Sequence, residues 1–314
     1  MSMVHLSKKD LVSILDLSKE ELESILNVAE MLRTKQKNRE FFVPLLGKTL
    51  AMIFTKSSTR TRVSFEIAMF QLGGAALYLN PNDMQLGRGE TIADTARVLS
   101  RYVDGIMIRT YAHSDVLELG KYGTIPVING LTDDEHPCQI IADILTIKDK
   151  KKSVKGLKVA YVGDGNNVCN SWLYAAPKAD MHMAVASPAG YLPKEAVVKK
   201  AKELAAESKT QIIITESPEE AVKDADVIYT DVWASMGQEA ETEKRKKVFA
   251  PYQVNSALLK HAKKDCLVMH CLPAHRGEEI SAEVMDGPNS VVFDEAENRL
   301  HAQKAILAML MAKS

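Results

Sequence analysis

The chain has 314 residues, 46% hydrophobic and 26% charged, and its 40 basic and 41 acidic side chains leave a formal net charge of -1. That balance describes a soluble globular protein and offers no electrostatic basis for a nucleic-acid partner; the length passes the ~250–300 residues at which single cores stop growing, so two domains are expected. No apolar run approaches the ~18 residues of a membrane span, and the opening MSMVHLSKKD lacks the apolar core of a signal peptide, so the expectation is a cytoplasmic protein without a membrane partner. Cys138, Cys169, Cys266 and Cys271 are scattered, and no pair has C-x-x-C spacing, so neither a metal site nor a disulfide framework is expected.

In chain order, a helix is predicted around Ser18 to Lys35, and from roughly residue 48 to 293 short apolar runs then alternate with stretches of helical spacing. Candidate strands are Thr49 to Phe54, Ala76 to Leu79, Gly105 to Ile108, Pro126 to Ile128 and Lys158 to Val162. His182 to Ala186, Gln211 to Thr215, Val227 to Thr230 and Leu267 to His270 complete the series. The pattern predicts an α/β fold of two domains, each a mainly parallel sheet flanked by helices on both faces, with ligands at the carboxyl ends of strands. A helix from about His136 ends in the charge run Lys148 to Lys152, a solvated helix terminus rather than a basic patch. The boundary is set there: a first domain over 1–147, joined by a C-terminal helix over 296–314, and a second domain over 148–295. Pro177, in SWLYAAPKAD, should end or kink the helix that follows Asn167.

The strand TLAMIF runs into Thr55-Lys56-Ser57-Ser58-Thr59-Arg60-Thr61-Arg62 and then into the helical run VSFEIAMFQL, which stops at Gly73-Gly74. Free N–H groups at a helix start, the positive end of its dipole, hydroxyls and guanidinium groups together make an anion site that would fit a phosphate. The alternative is that Ser58 or Thr59 only caps the helix while both arginines face solvent.

Ser-Thr-Arg-Thr-Arg after a strand resembles the carbamoyl phosphate signature of the aspartate and ornithine carbamoyltransferases. Three more motifs follow in that family's order: His136-Pro137-Cys138-Gln139, Asp231-Val232-Trp233-Ala234-Ser235-Met236-Gly237, and His270-Cys271-Leu272-Pro273. The resemblance implies an enzyme that moves the carbamoyl group of carbamoyl phosphate onto the δ-amine of L-ornithine, giving L-citrulline and phosphate without a cofactor. Charge then builds on the carbonyl oxygen before phosphate departs and must be stabilised. Arg109, ending the strand GIMIR, and His136, opening a helix, are the side chains to do so, and the resemblance adds Thr61. Arg60, with Ser58, Thr59 and Thr61, would hold the phosphate; Gln139, one turn past His136, would meet the carbamoyl amino group.

Arg299, in the run EAENR, matches the family's last carbamoyl phosphate contact. Gln85 looks irrelevant by itself, but in ornithine-type relatives a Gln on this loop reaches a neighbouring subunit's active site, where aspartate-type relatives present a Lys. The resemblance therefore implies a homo-oligomer, a trimer or a multiple of trimers, with active sites at subunit interfaces.

The second domain should choose the acceptor. Gly163-Asp164-Gly165-Asn166-Asn167-Val168 follows the strand LKVAYVG but lacks the third glycine and the acidic partner of a dinucleotide site, so NAD binding is not expected. Adjacent asparagines at such a turn serve as turn formers, while the resemblance makes Asn167 a ligand of the α-carboxylate. Asp231, at the end of the strand DVIYT, can bind the α-ammonium. Ser235 and Met236 belong to the Ser-Met-Gly loop that marks ornithine-type members, a loop expected to close over the acceptor and exclude water.

The backbone carbonyls of Cys271 and Leu272 could accept from the carbamoyl amino group and the attacking amine. Direct attack by the amine is preferred to a covalent role for Cys271, because His270 alternates to the opposite face of the strand. Two other readings stay open: a sibling transferase using putrescine, aspartate or an acylated ornithine, and a catalytically silent scaffold that binds carbamoyl phosphate.

Overall fold

Apolar, β-branched runs form parallel strands here because helices cover the sheet and leave few positions facing water. Among the residues that the computed structural model describes, 5–234 and 241–312, there are nine such strands. β1 (Thr49–Phe54), β2 (Ala75–Leu79), β3 (Gly105–Arg109) and β4 (Val127–Leu131) form one sheet in the order β2-β1-β3-β4. β5 (Lys158–Val162), β6 (His182–Ala186), β7 (Ile212–Thr215), β8 (Val227–Thr230) and β9 (Leu267–His270) form another in the order β7-β6-β5-β8-β9. Every pairing is parallel, so helical crossovers join the strands and flank the sheets.

The chain divides into two units, one of residues up to Ala142 together with those from Asn298 onward, the other of Asp143–Glu297. The division falls inside the helix Pro137–Lys151, a few residues before the charge run that begins at Lys148. The return falls inside the helix Val292–Met311, which places Arg299 with the first sheet. In the first unit Ala51, Ile53, Ile106, Ile108 and Val127 pack against Val12, Ala96, Val116 and Leu119. In the second, Ala160, Val162, Ala184, Ile228 and Val268 pack with Trp233, Phe249 and Val254.

Local chemistry explains most element ends. Ser18 caps the helix Lys19–Lys37 in a reciprocal box with Glu21. The helix Thr59–Gln71 stops where Gly73 takes φ +86°; a Cβ there would lie 2.7 Å from Val43 Cβ, so both conformation and space require glycine. The helix after Asn167 ends at Lys178, one residue beyond Pro177. β4 is the exception, running through Asn129-Gly130, a pair that normally reads as a turn. Tertiary pairing overrides that preference: Asn129 N donates to Leu11 O at 2.8 Å and its Nδ2 to Val12 O at 2.8 Å, so the N-terminal segment lies along β4.

In both sheets the strand order reverses about a central pair, β1/β3 in the first and β5/β8 in the second. The loops leaving the carboxyl ends of such pairs form the crevice where α/β sheets bind ligands. Thr55–Arg62 and Arg109 leave one pair, and Gly163–Asn167 and Asp231 leave the other.

Candidate active site

The helix Thr59–Gln71 begins immediately beyond β1, and Ser58 caps it by accepting from Thr61 N at 3.2 Å. Capping places Thr61 in the first turn, fully buried, with its hydroxyl as a meeting point. Arg299 Nη2 donates to Thr61 Oγ1 at 2.7 Å and Arg109 Nη1 approaches the same oxygen at 3.4 Å. Two guanidinium groups a few ångströms apart repel, and an anion between donors of this kind relieves that repulsion. Beside them His136 is buried, and its imidazole is held well below its usual pKa, first by desolvation and then by the charges of Arg299 and Arg109. It is therefore neutral near pH 7 and can act as a hydrogen-bond donor without adding a third positive charge.

His136 is fixed from behind. The preceding Glu135 accepts from Ser13 Oγ at 2.5 Å and from Ile14 N at 3.0 Å, and Glu135 N donates to Thr132 Oγ1 at 3.2 Å. Gln139 is fully buried in the next turn.

The cations of the Thr55–Arg62 segment separate by environment. Lys56 is buried, pairs with Asp133, and lies 4.1 Å from the ring centre of Tyr111. Arg62 is exposed, pairs with Glu66 at 3.2 Å and stacks on Tyr78. The buried Nε of Arg60 has no hydrogen-bond partner among the described residues, so Arg60 is the cation of this segment with unsatisfied donor capacity. Thr59 is exposed at the helix start. Gln85 is also exposed, in a short 3-10 turn over Gln85–Arg88 that ends at Gly89.

In the second unit the centre is Asp231, buried at the end of β8. Its Oδ2 accepts from Asn166 Nδ2 at 2.8 Å, and its Oδ1 from Val232 N at 2.8 Å and from the Cys271 thiol at 3.1 Å. Burial, followed by the carboxylates of Asp231 and Glu295, pushes the Cys271 thiol well above its ordinary pKa. A thiol so held is a donor and a poor nucleophile. His270 cannot serve as its base: Nε2 bonds Glu279 at 3.0 Å and Nδ1 accepts from Leu272 N at 2.9 Å. The same engagement bears on metal binding. Asp231, His270 and Cys271 bring potential ligand atoms within 4.8 Å of one another, yet both ring nitrogens of His270 are already in use.

Asn167 opens the helix Asn167–Lys178 and is half-buried; its Oδ1 accepts from Val168 N at 3.0 Å. Ser235 and Met236 lie outside the described residues. Sequence reasoning missed Asn166 as a partner of Asp231. It also missed the buried pair of Arg245 and Asp164 at 2.8 Å, in which Arg245 donates as well to Trp233 O at 2.9 Å. Asp164 is visible in the turn after β5, but nothing local to it indicates a partner 81 residues away.

Known proteins converge on this arrangement. Residues 9–149 match the carbamoyl-P binding domain of the aspartate/ornithine carbamoyltransferases, and residues 155–310 match the Asp/Orn binding domain. The chain belongs to the aspartate/ornithine carbamoyltransferase family. A protein of Anoxybacillus flavithermus named ornithine carbamoyltransferase is 61% identical over 308 residues, covering 98% of each chain. A Pyrococcus furiosus relative named an anabolic ornithine carbamoyltransferase is 60% identical over 98% of each. The solved ornithine carbamoyltransferase from Pyrococcus furiosus superposes with a TM-score of 0.96 at 60% identity, covering 99% of each chain. Within the family frame, the Thr61–Arg109–His136–Arg299 group falls in the carbamoyl-P matched and C-terminal segments of the first unit, and Asn166, Asp231 and Cys271 fall in the Asp/Orn match.

Proposed function

We infer that this chain transfers the carbamoyl group of carbamoyl phosphate to the δ-amine of L-ornithine, giving L-citrulline and phosphate. The observation that carries the donor half is the convergence of Arg109 and Arg299 on Thr61 beside a neutral His136. Arg60 and Arg299 hold the phosphate with Ser58, Thr59 and Thr61. Arg109, His136 and Thr61 donate to the carbonyl oxygen, where charge develops. Gln139 accepts from the carbamoyl amino group.

On the acceptor side Asp231 binds the α-ammonium and Asn167 the α-carboxylate, with Ser235 and Met236 completing the ornithine contacts. The backbone carbonyls of Cys271 and Leu272 accept from the amino hydrogens of the reacting groups. The δ-amine must be neutral to attack, and a free alkylammonium has a pKa near ~10.4, so activity rises with pH above neutrality. The amine nitrogen forms a bond to the carbonyl carbon, the bond from that carbon to the phosphate oxygen breaks, and the new ammonium loses a proton. The high pKa of the Cys271 thiol supports direct attack over a covalent intermediate.

Acceptor choice is tested by offering ornithine, putrescine and aspartate separately with carbamoyl phosphate. Citrulline should form far faster than carbamoyl-aspartate, and faster than carbamoyl-putrescine by about 10⁴-fold or more, the discrimination expected when the polar groups built for the missing α-carboxylate are left unpaired. Equal or faster turnover of either competitor would overturn the acceptor assignment.

Gln85 is assigned to a neighbouring copy's active site in a trimer or multiple of trimers. The apolar surface of the first unit supports such an assembly: Val63, Ile67 and Phe70 on the helix Thr59–Gln71 and Leu77 and Tyr78 on the edge strand β2 are all exposed, Phe70 by 77%. A face of this kind is uncommon on monomers. Light scattering should return three times the chain mass or a multiple of that; a monomer mass would rule the assignment out. Among the described residues no helix is long and apolar enough to cross a membrane.

A further inference from the structure

Asp231 can meet a substrate ammonium only if its carboxylate is aimed at it, and its neighbours address that requirement. We propose that Asn166 is a positioning residue for acceptor binding, orienting the Asp231 carboxylate toward the α-ammonium through a hydrogen-bond chain that begins at Tyr161. The proposal rests on the reading of Asp231 as the ammonium ligand.

The side-chain amide of Asn166 has a single allowed orientation. Its Oδ1 accepts from three donors, the Tyr161 hydroxyl at 3.0 Å, Val168 N at 3.0 Å and Cys169 N at 3.1 Å. A flipped amide would set its NH2 against two backbone N–H groups, Val168 N and Cys169 N, which can only donate. Nδ2 is thus directed at Asp231 Oδ2, 2.8 Å away. Tyr161 is buried, and desolvation, reinforced by the Asp231 charge, pushes its hydroxyl well above the usual phenol pKa, so it remains a donor. With Val232 N and the Cys271 thiol on Oδ1, donors hold both carboxylate oxygens of Asp231 and fix the plane of the group.

Capping alone would not select asparagine. Ser caps a helix about as well as Asn, but only the amide can accept from the helix N–H groups and also donate to a carboxylate. The side chain at 166 therefore does two jobs that one substitution can separate.

In Asn166→Ser the cap is kept and the donor to Asp231 is lost. The expected result is a roughly 10-fold rise in KM for ornithine, the size of one charge-assisted hydrogen bond, with the melting temperature and the KM for carbamoyl phosphate unchanged. Tyr161→Phe should give a smaller rise in the same direction. As a competitor, 5-aminopentanoate, which has the δ-amine and carboxylate but no α-ammonium, should bind wild type and Asn166→Ser equally. An unchanged ornithine KM in Asn166→Ser, a parallel loss for both substrates, or an equal loss for 5-aminopentanoate would overturn the proposal. Asp231→Asn separates the two possible failures. If that variant also leaves the ornithine KM unchanged, the ammonium assignment itself fails; if it raises the KM while Asn166→Ser does not, only the positioning role fails.

Discussion

An Arg60→Ala enzyme is expected to lose roughly 10²- to 10³-fold in kcat/KM for carbamoyl phosphate, the range seen when one preorganised donor to a reacting oxyanion is removed. The expectation follows from how the cations around the first helix are committed. Lys56 is paired with Asp133, and Arg62 with Glu66, whereas the buried Nε of Arg60 has no partner among the described residues. Desolvating part of a guanidinium without a partner is costly, and a bound phosphate would offset that cost. Arg62→Ala is the matched control. Arg62 is exposed, its pair with Glu66 is a surface i, i+4 contact, and its loss should change turnover by less than about threefold. Both substitutions leave the Ser58 cap in place, so neither should disturb the helix. Steady-state kinetics with carbamoyl phosphate varied at saturating ornithine would decide the matter. A change within a few-fold for Arg60→Ala, or equal losses in the two variants, would contradict the phosphate assignment.

The second large effect is expected at Asp231. Asp231→Asn keeps the shape of the side chain and removes the charge, which should raise the KM for ornithine by about 10²-fold or more, as when one member of a buried ion pair is lost. The loss should fall mainly on ornithine, because Cys271, the one partner of Asp231 also assigned to the carbamoyl group, makes that second contact through its backbone carbonyl rather than through the thiol that donates to Asp231. The amide replacement also turns one oxygen into an NH2 that faces a donor, Asn166 Nδ2 or the Oδ1 partners Val232 N and Cys271. Some of the effect is therefore reorganisation, of the order of 1–3 kcal/mol. Equilibrium binding of carbamoyl phosphate measured without ornithine separates the contributions. It should match wild type, and a comparable loss there would mean that Asp231 holds the fold rather than the acceptor.

Much of the architecture was legible because parallel strands buried on both faces have to be short, apolar and β-branched, and TLAMIF, GIMIR and KVAYV are all three. Punctuation was legible for the same local reasons: Ser58 before a helix, Gly73 where φ turns positive, Pro177 one residue from a helix end. β4 runs past the Ile128 expected as its end, through Asn129-Gly130, a pair with the chemistry of a turn, and only the distant Leu11 and Val12 backbone shows why it continues as a strand.

At the site, the motifs pointed to segments but not to what their side chains would touch. Thr61 and Arg299 are 238 residues apart, and no periodicity predicts that one hydroxyl will meet two arginines. Asn166 was hidden in a different way. An asparagine at a strand-to-helix turn is adequately explained as a cap, and its second role depends on the position of Asp231 at the end of a neighbouring strand. The chemistry of Cys271 likewise depends on burial beside two carboxylates, a three-dimensional fact that a Cys adjacent to a His in sequence obscures.

The most direct measurement follows the carbon that moves. Purified enzyme given carbamoyl phosphate labelled with 13C at the carbonyl, together with unlabelled ornithine, should place the label in the ureido carbon of citrulline, with one phosphate released per citrulline formed. Phosphate release without labelled citrulline, or label recovered only as bicarbonate or cyanate, would contradict carbamoyl transfer to ornithine.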